Sequence, residues 1–210
     1  MVKRKMPKEK RLLIAFDMDG TLTKSVSWED VHKAFGTLEC AKEHRRLYES
    51  GKINYEEWMK KDVSLWLGKD YSIAKKVLLF YEFIEGLEQF CRFFKEKSIL
   101  AIISAGLEER ARDIASKLCF DFVVSNGLVV KNGKITGYKC MVTPGNKGKL
   151  LQALIEKYSP QCVIAIGDTE FDKSMFRFAN IAVSIGNHID CADIHVNNFI
   201  ELLSKLTAKL

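Results

Sequence analysis

The sequence predicts an α/β fold, in which a doubly wound parallel sheet carries an inserted helical cap and a small β-hairpin. Short continuous apolar runs recur along the chain, as in strands that are buried on both faces of a parallel sheet. A long segment with helical periodicity separates the first two runs, and further along an Asn-Gly pair indicates a tight hairpin turn. We expect a core of residues 1–24 and 83–210, and a cap of residues 25–82.

The first apolar run, Leu12–Phe16, leads directly into Asp17 and Asp19, which are followed by Gly20 and Thr21. Open α/β sheets bind ligands at the carboxyl ends of their strands. Side chains two residues apart in an extended chain also point to the same side. We therefore expect both carboxyl groups in one site.

Four interpretations of this stretch differ in the chemistry that they require. A calcium loop would place glycine at the sixth position counted from Asp17, where this chain has Leu22. A solvated turn after a strand requires no chemistry, and a phosphorylated signalling receiver has no use for an acid two residues after its aspartate. The fourth interpretation is covalent phosphoryl transfer. Asp17 would attack a phosphate ester, while Asp19 would protonate the leaving oxygen and then deprotonate the attacking water.

Residues 25–82 contain no strand-like run. A parallel crossover requires only one helix, so a segment of this length predicts a helical cap over the carboxyl end of the sheet. Such a cap would exclude water and select the leaving group. Apolar residues at helical spacing carry this prediction, namely Trp28, Val31, Phe35, Met59, Val63, Trp66, Ile73, Val77 and Tyr81.

Helical periodicity over residues 85–97 leads into a second buried strand, Ser98–Ile103, with Ser104, Ala105 and Gly106 at its tip and a helix after it. Ser104 and the free amides of the helix start could donate hydrogen bonds to phosphate oxygens. A serine before a helix is also an ordinary N-cap, so the residue alone does not decide between these roles.

A third short strand, residues 121–125, precedes an alternating segment over residues 128–137 that is centred on Asn132-Gly133. Alternation around Asn-Gly is typical of a β-hairpin with a tight primed turn. We expect this hairpin to project from the sheet edge as a structural appendage without a chemical role.

Lys147 and Lys149 lie near the start of a helix that the pattern extends to about Tyr158. Positive charges there oppose the helix dipole, so an anion nearby would account for the placement. The residues alone leave both lysines open as its partner, because most lysines simply face solvent.

The fourth buried strand, Cys162–Ile166, is followed by Asp168 and, four residues later, by Asp172. Mg²⁺ prefers oxygen ligands and usually retains waters, so a few carboxylates and a substrate phosphate suffice to bind it. We assign Glu170 to the start of the following helix. Strands over residues 181–185 and 193–196 and a helix over residues 199–206 complete the predicted elements.

Taken in order, these segments resemble the four motifs of the haloacid dehalogenase superfamily of magnesium-dependent phosphatases and phosphotransferases. The resemblance implies a Rossmann-like core, in which Asp17 is the nucleophile and Asp19 the acid and base. It further implies that Lys147, in an Asn-Lys-Gly-Lys run, neutralises the phosphate. The phosphate would be bound by Thr21, Ser104, Ala105, Gly106 and Lys147. Mg²⁺ would be bound by Asp17, Asp168, the backbone carbonyl of Asp19 and, as ligand or anchor, Asp172.

The helical insert and the runs at residues 51–55 and 63–65 resemble the phosphoserine phosphatase-like branch. In that branch a cap glutamate binds the serine ammonium. This chain has Val26 at the aligned position, and its nearest glutamate, Glu29, lies three residues further along. The branch binds the serine carboxylate with an arginine, where this chain has Asp62. We therefore expect a small phosphorylated metabolite that need not be phosphoserine.

The resulting hypothesis is a Mg²⁺-dependent phosphomonoesterase that acts through an aspartyl-phosphate intermediate. Two alternatives stay open: a phosphotransferase or phosphomutase with the same intermediate, and a non-catalytic protein that binds a phosphorylated ligand. Phe171 stands where many phosphoserine phosphatases carry asparagine, a difference that the sequence does not explain.

The charge distribution argues against a nucleic acid partner, and the hydropathy argues against a membrane span. The net charge is +6, but residues 1–11 carry +5 of it, which leaves 27 basic against 26 acidic residues in the rest of the chain. A folded nucleic-acid-binding surface should leave an excess there, so we expect no nucleic acid partner. The basic leader is interpreted as solvated, with a weak polyanion contact as the alternative. No apolar run approaches the roughly 20 residues of a membrane span, so we expect a cytoplasmic protein. We further expect a monomer or a homodimer.

Six cysteines without a Cys-x-x-Cys pair predict reduced thiols in the core, and four histidines without metal-ligand spacing argue against a zinc site.

Overall fold

The computed structural model describes residues 12–208, which contain one seven-stranded sheet with helices on both faces. The strand order is β4-β3-β2-β1-β5-β6-β7, and all neighbours are parallel except β3 and β4. The strands are β1 Leu12–Phe16, β2 Ser98–Leu107, β3 Phe122–Lys131, β4 Lys134–Lys139, β5 Cys162–Gly167, β6 Ile181–Ile185 and β7 Ile194–Val196. The basic leader, residues 1–11, lies outside the described residues.

Helices occur in the segment after β1, between the later strands, and after β7. The first four are α1 Ser27–Phe35, α2 Leu38–Glu49, α3 Tyr55–Ser64 and α4 Tyr71–Leu78. The others are α5 Leu87–Phe94, α6 Glu108–Leu118, α7 Lys147–Tyr158, α8 Lys173–Phe176 and α9 Phe199–Thr207, with a short 3₁₀ turn at Glu170–Asp172.

The central strand β1 shows why both faces of the sheet are covered. Ile14 and Phe16 pack on one face with α5, α6 and α9, whereas Leu13 and Ala15 pack on the other with α7 and α8. All four side chains are fully buried. The alternation of β1 between two apolar layers confirms the predicted doubly wound fold.

A third apolar cluster, separate from the two that cover the sheet faces, contains side chains of α1, α3 and α4 and of the segment after α3. Val31, Val63, Trp66 and Leu78 are among its buried members. The apolar sides of α1, α3 and α4 meet around Trp66. This arrangement supports our division of the chain into a core of residues 1–24 and 83–210 and a cap of residues 25–82, which stays a proposal.

The β3–β4 hairpin is an edge ribbon, as predicted, but the expectation that it is an appendage is wrong. Its turn at Asn132 and Gly133 has positive φ at both positions, as a primed turn requires. Ile135, however, lies in the third cluster beside Trp66. The Gly68 backbone N–H donates to the Ile135 carbonyl at 2.8 Å, and the Ile135 N–H donates to the Lys69 carbonyl at 3.0 Å. The apolar side of the hairpin is therefore buried against the cap.

This packing predicts that Ile135→Ala destabilises the protein by about 2–4 kcal/mol, because it opens a cavity at a fully buried position. Val130→Ala, on the same hairpin but 37 % exposed, should cost less than about 1 kcal/mol. Urea unfolding, monitored by circular dichroism, measures the free energy of unfolding of both variants. Equal and small losses for the two variants would contradict the packing of the hairpin on the cap.

Two further sequence expectations concern thiols and membranes. The six cysteines are free, as predicted, but Cys91 alone among them is buried, while Cys40, Cys119 and Cys191 are exposed. The interpretation of the cysteines as core residues is therefore wrong for most of them. Within residues 12–208, no helix has both the length and the apolar character to cross a membrane.

Candidate active site

The carboxyl ends of β1 and β5 bring the predicted acids together. The backbone N–H of Asp17 donates to the carbonyl of Ile166 at 2.9 Å, which fixes the end of β1 beside the end of β5. Asp17, Asp168 and Asp172 are all buried, at 6 %, 8 % and 0 % exposure. Carboxylates so far from solvent require partners, and the structure supplies them.

Lys147, at the first turn of α7, is the lysine that reaches these acids. Its Nζ lies 2.8 Å from Asp17 Oδ1 and 2.6 Å from Asp172 Oδ1, and the residue is 1 % exposed. Burial alone would lower the pKa of Lys147, but the carboxylates of Asp17 and Asp172 outweigh it and raise the pKa, so the ammonium stays charged. Lys149 is exposed. The geometry thus favours Lys147 over Lys149 as the partner of an anion.

Asp172 is held by both of its carboxylate oxygens. Oδ1 accepts from Lys147, while Oδ2 accepts from the backbone N–H groups of Asp168 and Thr169, each at 3.1 Å. Burial raises the pKa of Asp172, and the Lys147 ammonium opposes that shift. Gly167 leaves room for this side chain, because an added Cβ would lie 2.3 Å from Asp172 Cγ. Asp172 therefore anchors Lys147, and direct coordination of a metal by Asp172 stays a prediction.

Asp168 is positioned by the turn that follows β1. The hydroxyl of Thr21 donates to Asp168 Oδ1 at 2.8 Å. Gly20 has φ +84°, and a Cβ on it would lie 2.2 Å from Asp168 Oδ2, so both its backbone and its neighbour require glycine. Thr21 is fully buried and positions a carboxylate in this structure. Direct contact of its hydroxyl with phosphate stays a prediction.

The three buried carboxylates fit a divalent cation. Asp17, Asp168 and Asp172 each offer one oxygen, and these oxygens all lie within 4.8 Å of one another. Burial, followed by the charges of Asp17 and Asp172, raises the pKa of Asp168. A set of carboxylate oxygens is the kind of donor set that hard cations such as Mg²⁺ prefer.

Asp19 lies beside this cluster in a different environment. Ser27 Oγ donates to Asp19 Oδ2 at 2.5 Å, and Arg110 Nη1 lies 3.7 Å from Asp19 Oδ1. Burial raises the pKa of Asp19 to about 7, against the opposing effects of Arg110 and Ser27. A carboxyl group with a pKa near neutrality can both give and take a proton, as an acid and base catalyst must.

Sequence reasoning missed Ser27 and Arg110. Arg110 is fully buried, and its Nη2 lies 2.7 Å from Asp30 Oδ2 in the cap. The same guanidinium donates to the carbonyls of Ser25 and Leu78. These partners lie far from Arg110 in the sequence. The basic residues of α6 offered no signal that this arginine, and not the exposed Arg112, is buried.

The segment Ser104–Gly106, which was expected to follow the second strand and bind phosphate, differs from expectation in its secondary structure. Strand β2 continues to Leu107 and α6 begins only at Glu108, so Ser104 lies within the strand and is not an N-cap. Its Oγ accepts from the Gly106 backbone N–H at 3.0 Å. A Cβ on Gly106 would lie 2.6 Å from Asp19 Oδ2, so glycine is required where this backbone passes the acid. Ser104, Ala105 and Gly106 all line the cavity that Asp17 and Asp168 also line, and their binding of phosphate stays a prediction.

That cavity has a volume of about 510 Å³ and extends from Asp17 and Lys147 into the cap. Val26 lines its cap side and is 37 % exposed. Asp62 also lines it, but the carboxylate is held between two imidazoles, with His44 Nδ1 2.6 Å from Oδ1 and His32 Nε2 3.5 Å from Oδ2. The two positions that were expected to bind the amino and carboxyl groups of serine therefore hold the apolar side chain of Val26 and the Asp62 carboxylate, which is bound by two histidines.

Comparison with known proteins agrees with this geometry. The sequence profile of the haloacid dehalogenase-like hydrolases matches residues 12–180. A phosphoserine phosphatase from Methanocaldococcus jannaschii is 32 % identical over 183 residues, which are 84 % of this chain and 86 % of that protein.

Two solved phosphoserine phosphatase structures share the fold. One is a phospho-aspartyl intermediate analogue, 26 % identical, with a TM-score of 0.83 over 94 % of this chain and 99 % of the other. The second is a complex with bound substrate, 26 % identical, with a TM-score of 0.82 over 95 % and 99 % of the two chains. The chain therefore belongs to the haloacid dehalogenase-like hydrolases, as an enzyme of the phosphoserine phosphatase-like branch.

Proposed function

We propose that this enzyme is a Mg²⁺-dependent phosphomonoesterase, in which Asp17 is the nucleophile, Asp19 the acid and base, and Lys147 the charge that neutralises the phosphate. The observation that carries the proposal is the position of the Lys147 ammonium. It lies 2.8 Å from Asp17 Oδ1, in a cavity that is also lined by Asp19 and Asp168. A buried cation beside a buried carboxylate suits a site that receives a phosphate dianion.

The chemistry proceeds in two displacements. A carboxylate oxygen of Asp17 attacks phosphorus, the bond from phosphorus to the ester oxygen breaks, and Asp19 gives its proton to the leaving alkoxide. Asp19, now ionised, takes a proton from a water molecule, which attacks the same phosphorus and breaks the acyl-phosphate bond. Inorganic phosphate leaves, Asp17 is free again and Asp19 again carries a proton.

The residues around the two aspartates orient the ester. Ser104, Ala105, Gly106 and Lys147 line the cavity and are proposed to bind the phosphate oxygens. Asp17, Asp168, the Asp19 carbonyl and Asp172, as ligand or anchor, are proposed to hold Mg²⁺. A bound Mg²⁺ offsets the repulsion between the carboxylates and the phosphate dianion.

The substrate is proposed to be a small phosphorylated metabolite. The relatives named phosphoserine phosphatases make O-phosphoserine the first compound to test. Val26 and Asp62 replace the residues expected to recognise its amino and carboxyl groups. We further propose a cytoplasmic enzyme that is a monomer or a homodimer, and gel filtration with light scattering distinguishes these two states.

Removal of the metal tests the proposal. We expect hydrolysis of p-nitrophenyl phosphate with Mg²⁺, and a loss of at least ~100-fold in EDTA that added Mg²⁺ restores. Far-UV circular dichroism should be the same in both conditions, which separates a loss of chemistry from unfolding. Full turnover in EDTA, with metal content verified by mass spectrometry, would contradict a metal-dependent mechanism.

A further inference from the structure

We infer that the alcohol half of the substrate carries an uncharged aromatic ring, which binds among the aromatic side chains on the cap side of the cavity. The inference rests on the proposed phosphomonoesterase function, and it concerns the part of the substrate that is not phosphate. Its first support is size. A volume of about 510 Å³ falls in the range of about 300–1,000 Å³ that holds drug-sized ligands, and it exceeds what phosphate and a serine side chain fill.

Part of the cavity wall is formed by a cluster of aromatic side chains. Tyr48 of α2 stacks on Trp58 of α3, with ring centroids 4.8 Å apart and planes at 24°. Phe171, from the short 3₁₀ turn after β5, contacts Tyr48 and Tyr55 with ring centroids 6.1 and 6.5 Å apart. All four side chains line the cavity. The phenylalanine that the sequence left unexplained is therefore part of an aromatic wall shared by the cap and the core.

Trp28 adds an aromatic surface next to Ser104–Gly106, the segment that is proposed to bind phosphate. Its indole stacks on the buried Trp66 at 5.3 Å, and its Nε1–H donates to the carbonyl of Ala105 at 3.0 Å. These two contacts fix the ring beside the residues that are proposed to bind phosphate. A ligand ring attached to the phosphate by a short linker would thus meet aromatic faces, where offset or edge-to-face contacts are favourable.

The charged side chains on the cap wall already have partners. Glu49 lies 2.8 Å from Arg45, and Glu29 lies 3.6 Å from Lys33. Asp62 is held by His44 and His32, as described above. The first two pairs are roughly half exposed and weak, whereas the Asp62 carboxylate is buried and already held by two imidazoles, and Val26 carries no charge. An uncharged leaving group therefore fits this wall better than a zwitterion does.

An indole N–H on this wall lacks a hydrogen-bond acceptor. The Nε1–H of Trp58 is buried and has no hydrogen-bond partner in the described part of the chain. A buried donor without a partner is costly, and an acceptor on a bound ring would remove that cost. Trp58 is therefore the residue through which we test the inference.

The test compares two esters whose alcohols differ by a ring. For 2-phenylethyl phosphate we expect kcat/KM to be roughly 10- to 100-fold higher than for ethyl phosphate, as burial of a phenyl group predicts. O-phosphoserine should be no better than ethyl phosphate. Equal values for the first two esters, or O-phosphoserine as the best of the three, would overturn the inference and leave the proposed phosphatase function standing.

Variants locate the ring. Trp58→Leu should lower the ratio of the two kcat/KM values at least ~5-fold, because it removes an aromatic face. Trp58→Phe, which keeps a ring, should retain most of the ratio. Phe80→Leu is the matched control, since Phe80 is an aromatic cap residue that is 86 % exposed and does not line the cavity. An unchanged ratio in Trp58→Leu would overturn the assignment of this wall.

A binding experiment separates this inference from the failure of the catalytic proposal. If none of the esters is hydrolysed, the proposed function is wrong. Tryptophan fluorescence then still reports binding of 2-phenylethylphosphonate and ethylphosphonate, which the enzyme cannot hydrolyse. Tighter binding of the phenyl compound, lost in Trp58→Leu, supports the ring site, and equal binding of the two phosphonates refutes it.

Discussion

We expect Asp17→Asn to lower kcat for p-nitrophenyl phosphate on the order of 10⁴-fold or more and to leave the fold intact. An amide is a very poor nucleophile toward phosphorus, so the covalent intermediate does not form. The substitution keeps the shape of the side chain, and Lys147 keeps Asp172 as a partner at 2.6 Å. Steady-state kinetics measure the loss, and thermal unfolding should place Tm within a few degrees of the unaltered enzyme.

Asp190→Asn is the control, because its side chain is 92 % exposed and lies outside the cavity. It should leave kcat unchanged. Acid-quenched enzyme turning over substrate should carry a phosphate on the peptide that contains Asp17, detected by mass spectrometry, and Asp17→Asn should not. Retained turnover in Asp17→Asn, or a phosphate on another peptide, would refute the assignment of the nucleophile.

Lys147→Met should lower kcat/KM roughly 10²- to 10³-fold, as removal of a charge that stabilises a transferring phosphoryl group does. Methionine keeps much of the buried stem of the side chain, so the packing of α7 changes little. The loss of the ammonium leaves the Asp17 and Asp172 carboxylates without their shared counter-charge. Kinetics at a temperature well below the Tm of the variant measure the effect on folded enzyme alone.

Lys149→Met, two residues along the same helix, provides the matched comparison. Lys149 is exposed, so its replacement should change kcat/KM less than about twofold. Equal losses in the two variants would show that the helix start, and not the buried ammonium, matters. A loss confined to Lys149→Met would reassign the lysine motif.

Much of the sheet was predictable because its central strands are short, continuous apolar runs. The observed β1 and β6 have the predicted bounds, and β5 extends only one residue further. The end of β2 was not predictable, because small residues such as Ala105 and Gly106 carry no strand signal. The strand extends beyond them because Leu107 pairs with Asn126 of β3, after an irregularity that follows the Ser104–Ser125 pair. A partner strand is a tertiary contact that one segment does not reveal.

The acids of the site were predictable for a similar reason, since Asp17, Asp19 and Asp168 come just after the carboxyl ends of the apolar strands β1 and β5. The residues that set the environment of Asp19 were not. Ser27 of the cap and Arg110 of α6 reach Asp19 only through tertiary contacts between segments that are distant in the sequence. No local pattern marks a serine at a helix start or one arginine among several as part of such a contact.

The burial of Ile135 in the apolar cluster around Trp66 bears on attempts to build chimaeric enzymes. Residues 25–82 look like a self-contained cassette that could be exchanged for the corresponding segment of a relative. Such a graft would leave the inner face of the β3–β4 ribbon, with Leu128 and Ile135, against a foreign surface. A successful transplant of specificity has to carry residues 122–139 as well, since both segments together make the hydrophobic interior that the exchange would disturb.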